Sequence, residues 1–77
     1  MGNSFDIIES IVCEILKDEG KRVDVKIGLE TRLREDLGFD SLMLAVLTVK
    51  VEGATGVDVF EDGIVTTIGE IVEKTSR

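Results

Sequence analysis

Histidine, tryptophan and tyrosine are absent from the 77 residues, and there is a single cysteine. Without histidine the chain can build none of the dyads or triads that activate a nucleophile through an imidazole base. One thiol allows no internal disulfide, which fits a reducing compartment. Basic side chains are scarce too: nine Lys and Arg stand against sixteen Asp and Glu, a formal net charge of −7. That balance argues against nucleic acid as a partner, because phosphate backbones are gripped by basic patches. It points instead to basic protein surfaces. Long apolar runs are missing as well, so neither a signal peptide nor a membrane span is expected, and no membrane insertion. The start Met1-Gly2-Asn3-Ser4-Phe5-Asp6 begins like a myristoylation signal but has Asp6 where Ser or Thr is needed. A chain this short makes one small domain, 1–77, with one modest core and no deep enzyme cleft. The expectation is a cytoplasmic monomer.

What is present reads mainly as helix. From Ser4 to Glu19, Phe5, Ile8, Ile11, Val12, Ile15 and Leu16 recur at helical spacing, with Asp6, Glu9, Glu14 and Lys17 on the other side. Asn3 or Ser4 is a candidate N-cap and Gly20 a left-handed stop. Cys13 falls off the apolar stripe with no base or cation placed beside it, so it reads as a partly exposed thiol without a role. Further on, Val23, Val25, Ile27 and Leu29 alternate with Asp24, Lys26 and Gly28, a strand pattern whose only available partner is Val57 to Phe60. An isolated two-stranded pair is marginal. Leu33 and Leu37, four apart, suit a short helical turn. A loop as long as Gly20 to Asp40 in a small domain is usually functional.

Ser41 to Thr55 is apolar nearly all round and splits into two stripes. Leu44, Leu47, Val51 and Ala54 form one; Leu42, Ala45, Val46, Val49 and Gly53 form the other, on roughly the opposite face. One stripe faces the core and the other meets a neighbouring helix, a partner protein or water. Val and Thr would also suit a buried strand, but length and an Asp40 cap favour helix, ended by Gly56. A short helical piece is expected around Glu61 to Val65. Thr67-Ile68-Gly69-Glu70 has the capping-box form that opens a last helix, with Ile68, Ile71 and Val72 on its apolar face. Asp58 to Gly63 has a faint likeness to a calcium loop, but Phe60 falls where a carboxylate is needed, which excludes an EF-hand.

The run Glu35-Asp36-Leu37-Gly38-Phe39-Asp40-Ser41-Leu42 sets one hydroxyl at the mouth of the apolar helix, immediately after a turn. Unpaired backbone N–H groups and the positive end of the helix dipole suit a phosphate there. The residues alone show a serine at a helix start. The run closely resembles the D-L-G-x-D-S-L attachment site of acyl carrier proteins. The likeness covers nearly the whole chain: long helix, long loop, motif, second helix, short third helix, and a T-T-I-G-E-I-V segment like the start of the family's final helix.

That resemblance implies an all-α fold, a small four-helix bundle of three main helices and one short one, with an extended loop between the first and second. It implies that Ser41, flanked by the motif residues Asp40 and Leu42, carries covalent 4′-phosphopantetheine, whose thiol holds acyl groups as thioesters. No catalysis is implied for this chain and no resident metal. A phosphopantetheinyl transferase using coenzyme A and Mg²⁺ would load the arm. Acyl-transferring or condensing enzymes of fatty-acid, polyketide or related acyl-chain biosynthesis would use it. Asp36 and Asp40, whose charges repel a phosphodiester, are assigned to capping, transferase recognition or metal contact. Leu42, Ala45, Val46 and Val49 form the expected docking face.

Three departures from the family's pattern point to a specialised rather than housekeeping carrier. Acidic docking positions on the second helix are Val46, Glu52, Gly53 and Ala54, leaving Lys50 and Glu52 to cancel. Thr55 stands where an aromatic is common, and the segment before Thr66 is about two residues short. The competing reading is a carrier-like helical interaction module that is never modified.

Overall fold

Among the described residues three helices carry the fold: α1 (Ser4–Asp18), α2 (Ser41–Thr55) and α3 (Ile68–Thr75). The computed structural model describes residues 4–21, 26–61, 63 and 65–76. Helix α1 packs against both α2 and α3. The stripe read from its sequence is the face it buries: Ile8, Val12, Ile15 and Leu16 are inside, with Phe5 and Ile11 half-buried against them. Gly20 stops it at φ 72°. There the Gly20 N–H donates to the Lys17 carbonyl at 3.1 Å and the Lys21 N–H to Leu16 at 2.8 Å, a Schellman ending that satisfies two orphan carbonyls. Of the two candidate caps, Asn3 lies outside the described residues and Ser4 is the first helical residue.

Helix α2 is closed by Gly56 at φ 79°, whose N–H donates to the Glu52 carbonyl at 2.7 Å. Its buried side chains are Met43, Leu47 and Val51, spaced four apart. This corrects the expected core stripe: Met43 joins it, Leu44 is half-buried, and Ala54 is exposed. Lys50, expected to cancel Glu52, instead reaches α1, its Nζ donating to Glu14 Oε1 at 2.6 Å. That contact raises the Lys50 pKa, through the hydrogen bond first and the Glu14 charge second.

The capping box of α3 forms as the sequence predicts: the Glu70 N–H donates to Thr67 Oγ1 at 3.2 Å, and the Thr67 N–H donates back to Glu70 Oε1 at 3.1 Å. Ile68 and Ile71 are buried. Thr66 adds its own N–H and hydroxyl to the same carboxylate, at 2.8 and 2.6 Å.

The expected fourth helix, around Glu61 to Val65, is not confirmed. Residues 59–61 form a turn, and Asp62 and Ile64 lie outside the described residues. The alternating segment gives no strand among the described residues; Val23, Asp24 and Val25 lie outside them. Its described end makes contacts of another kind. The Leu33 N–H donates to Thr66, Ile68 to Thr31 and Gly69 to Leu29, at 2.9, 3.0 and 2.8 Å, stitching the loop to the head of α3. Arg32 and Thr67 meet as an isolated antiparallel bridge. Ile27, Leu33, Leu37 and Phe39 from the loop, with Val59 and Val65 from the last connection, complete one buried cluster with the helices. Burying side chains of this size is worth roughly 1.5–3 kcal/mol each.

Candidate attachment site

The residues leading into Ser41 are held by a compact turn. Asp36 and Leu37 both donate their N–H to the Arg32 carbonyl, at 3.0 and 3.2 Å, and Gly38 donates to Arg34 at 3.1 Å. Leu33 and Leu37 are buried beneath, the short helical turn expected from their spacing. Asp36 accepts the Arg32 N–H at 2.8 Å and the guanidinium at 3.3 and 3.4 Å. The backbone bond and then the side-chain bond hold the Asp36 carboxyl below the usual carboxylate range. The same contact, with Glu35 beyond it, raises the Arg32 pKa. Asp36 is therefore a brace of the turn.

Gly38, at φ 73°, occupies the left-handed region where a Cβ would be strained. That reversal turns Phe39 inward, 3% exposed, with its N–H on the Leu33 carbonyl at 3.0 Å. Asp40 returns to extended backbone, φ −101° and ψ −176°, and caps α2: Met43 N–H donates to Asp40 Oδ1 at 2.9 Å. Because Asp40 caps, Ser41 is the first helical residue rather than the cap. It is exposed, and its hydroxyl has no hydrogen-bond partner among the described residues. Accessibility, not activation, is what the fold gives this oxygen.

An open groove of about 320 Å³ begins at Ser41 and is lined by Arg34, Leu44, Ala45, Thr48 and Phe60. A second, of about 330 Å³, is lined by Ala45, Val46, Val49 and Lys50. Ala45 belongs to both. Of the four residues expected on the docking face, Leu42 is 65% and Val49 69% exposed, and Ala45 is exposed. Val46 is half-buried against the core, a partial correction. A third depression, about 490 Å³ between Phe5, Leu29 and Val72, does not include Ser41. Sequence reasoning missed Arg34, Thr48 and Phe60. Arg34 had a signal, a cation just before two acidic residues in the motif; Phe60 reaches the groove only through tertiary packing.

A family model described as the phosphopantetheine attachment site matches residues 6–74. The chain is 38% identical over 55 residues to an acyl carrier protein of Rickettsia bellii strain RML369-C, an alignment covering 70% of this chain and 63% of that protein. It is 40% identical over 55 residues to an acyl carrier protein of strain OSU 85-389, covering 70% and 67%. The matched segment thus spans about two thirds of each relative's length. No solved structure matches.

Proposed function

The chain belongs to the phosphopantetheine attachment-site family, with its covalently attached 4′-phosphopantetheine, and from that premise we propose that Ser41 bears the arm and that the protein is a specialised acyl carrier. The observation that carries the assignment is the exposed, unengaged hydroxyl of Ser41 at the first residue of α2, inside the D-L-G-F-D-S-L run. When bound, the group supplies a thiol that holds an acyl chain as a thioester at high effective concentration near enzyme sites.

The chain's own residues fit such a group. Asp40 turns its carboxylate to the Met43 N–H, so the N–H groups of Ser41 and Leu42 are left without an acceptor among the described residues. Those free donors at a helix start favour an anion. Leu42, Ala45 and Val49, with part of Val46, begin at the same serine and continue down α2. A partner gripping this face, whether the phosphopantetheinyl transferase or an acyl-transferring or condensing enzyme, receives the arm directly. Apolar contact makes that docking depend more on burial than on charge. Lys50, tied to Glu14, leaves Glu52 as the one unpaired acid on α2 among the described residues, which supports a dedicated partner rather than a general fatty-acid role.

Incubation with coenzyme A, Mg²⁺ and a broad-specificity phosphopantetheinyl transferase should add the mass of one arm, and Ser41→Ala should abolish the addition. Addition that persists in Ser41→Ala overturns the assignment. No addition to the parent favours the unmodified interaction module.

A further inference from the structure

Two arginines stand on the turn before Ser41, and only one is committed. Arg32 is engaged by Asp36 at 3.3 Å and Glu35 at 3.9 Å. Arg34 makes no ion pair among the described residues, and it lines the groove that begins at Ser41. The surroundings are acidic: Glu35, Asp36 and Asp40 lie within six residues of the serine, in a chain of net charge −7. A phosphodiester on Ser41 adds another negative charge there. Of the groove's lining residues, Arg34 is the one cation. A guanidinium offers paired N–H donors that match phosphate oxygens and stays charged at any working pH. Lys21 is the other cation near this turn, its Nζ 3.7 Å from where a Gly38 Cβ would stand, but it does not line the groove.

We propose that Arg34 is a positioning residue that receives the phosphodiester on Ser41, offsetting the local acidity and holding the root of the arm along α2. This rests on Ser41 as the attachment point. A root held by Arg34 would restrict the directions in which the arm leaves Ser41, since Leu44 and Thr48 line the same groove.

The test uses the full chain as parent, Arg34→Gln, Lys21→Gln and Ser41→Ala, each treated with coenzyme A and the transferase and followed by intact mass and peptide mapping. Two readouts are independent of carrier activity: the Arg34 Nε–Hε resonance before and after modification, and the holo-minus-apo difference in melting temperature. We expect the resonance to shift on modification in the parent and in Lys21→Gln. We expect the holo-minus-apo difference to be lower in Arg34→Gln than in the parent and Lys21→Gln, with the gap closing as salt rises from about 50 to about 500 mM, since short-range screening weakens an exposed ion pair. Apo Arg34→Gln should melt close to the apo parent. Full modification at Ser41 with an unmoved resonance, or with equal differences in the parent, Arg34→Gln and Lys21→Gln, overturns the role of Arg34 and leaves Ser41 intact. Equal losses in Arg34→Gln and Lys21→Gln overturn it as well, by reducing the effect to net charge. Failure to modify Ser41 in the parent overturns both assignments.

Discussion

Gly69 approaches Leu29 so closely that no side chain fits between them. Its N–H donates to the Leu29 carbonyl oxygen at 2.8 Å, and a Cβ added at residue 69 would lie 2.8 Å from that same oxygen. The glycine stands in the first turn of α3, where an alanine would otherwise favour the helix. The obstacle is backbone, not a flexible side chain, so the loop or the helix has to shift.

Gly69→Ala should therefore destabilise the protein despite better helix propensity. Overpacking costs about 1–3 kcal/mol, against a propensity gain of at most about 1 kcal/mol. A fall in melting temperature of several degrees is expected, at about 4–8 °C per kcal/mol for a domain of this size. A melting temperature equal to or above the parent's would mean that the Leu29 carbonyl moves aside freely.

Asp40 and Ser41 should separate cleanly in a stability measurement. Asp40→Ala removes the carboxylate that accepts the Met43 N–H and should cost about 1 kcal/mol, while Asp40→Asn keeps an acceptor and most of the stability. Ser41→Ala touches no hydrogen bond among the described residues and should stay within about 0.5 kcal/mol of the parent. Urea denaturation of the three variants checks the order. A Ser41→Ala loss as large as that of Asp40→Ala would give the hydroxyl a capping role.

Much of this was legible in the sequence because the signals are local. Asp40 three residues before Met43, the Thr67 and Glu70 pair, Gly20 and the Ile8, Val12, Ile15 stripe each act within one or two turns of chain. Two things were not. Helix α2 is apolar nearly all round, so periodicity offers two stripes rather than one face, and Met43 rather than Ala54 went inside. The bonds from Leu33 to Thr66 and from Gly69 to Leu29 join backbones over thirty residues apart, with no side-chain pattern to announce them. The alternation of Val23, Val25, Ile27 and Leu29 suggested pairing, but the described loop pairs instead with the head of α3.

The proposed docking face can be probed where exposure makes stability indifferent. Val49 is 69% exposed, so Val49→Asp should change stability by less than about 0.5 kcal/mol. It should still slow arm loading or acyl transfer by a partner that grips α2, read as a higher KM with kcat largely kept. Val46 is the poorer site, because it packs partly on the core and a charge there carries a folding cost. Loading and transfer by Val49→Asp at the parent's KM would move the docking face elsewhere.

Acid should weaken the head of α3 in a defined direction. The Glu70 carboxyl is held below its ordinary pKa by the Thr66 hydroxyl first, then the Thr66 N–H, with Thr67 adding to both. A folded pKa below the unfolded one, about 4.3, gives stability that is present above the unfolded value and lost as pH falls through the folded one. Glu70→Gln keeps an acceptor oxygen but no titration. The melting-temperature gap between parent and Glu70→Gln should be widest near about pH 6–7 and narrow below about pH 4. Glu70 is exposed, so solvent screening keeps the gap small. A gap constant with pH would mean that the bonded carboxylate adds nothing that a neutral amide does not.

Phe39 and Met43, each two residues from Ser41, are 3% and 1% exposed. The serine is therefore mounted between two buried anchors, and its backbone has little freedom to lose when an enzyme takes hold. Recognition of a floppy segment would spend part of its binding energy on ordering that segment, whereas a mounted one presents its hydroxyl already in register. On the proposed function, in which several enzymes meet the serine in turn, the saving recurs at every encounter.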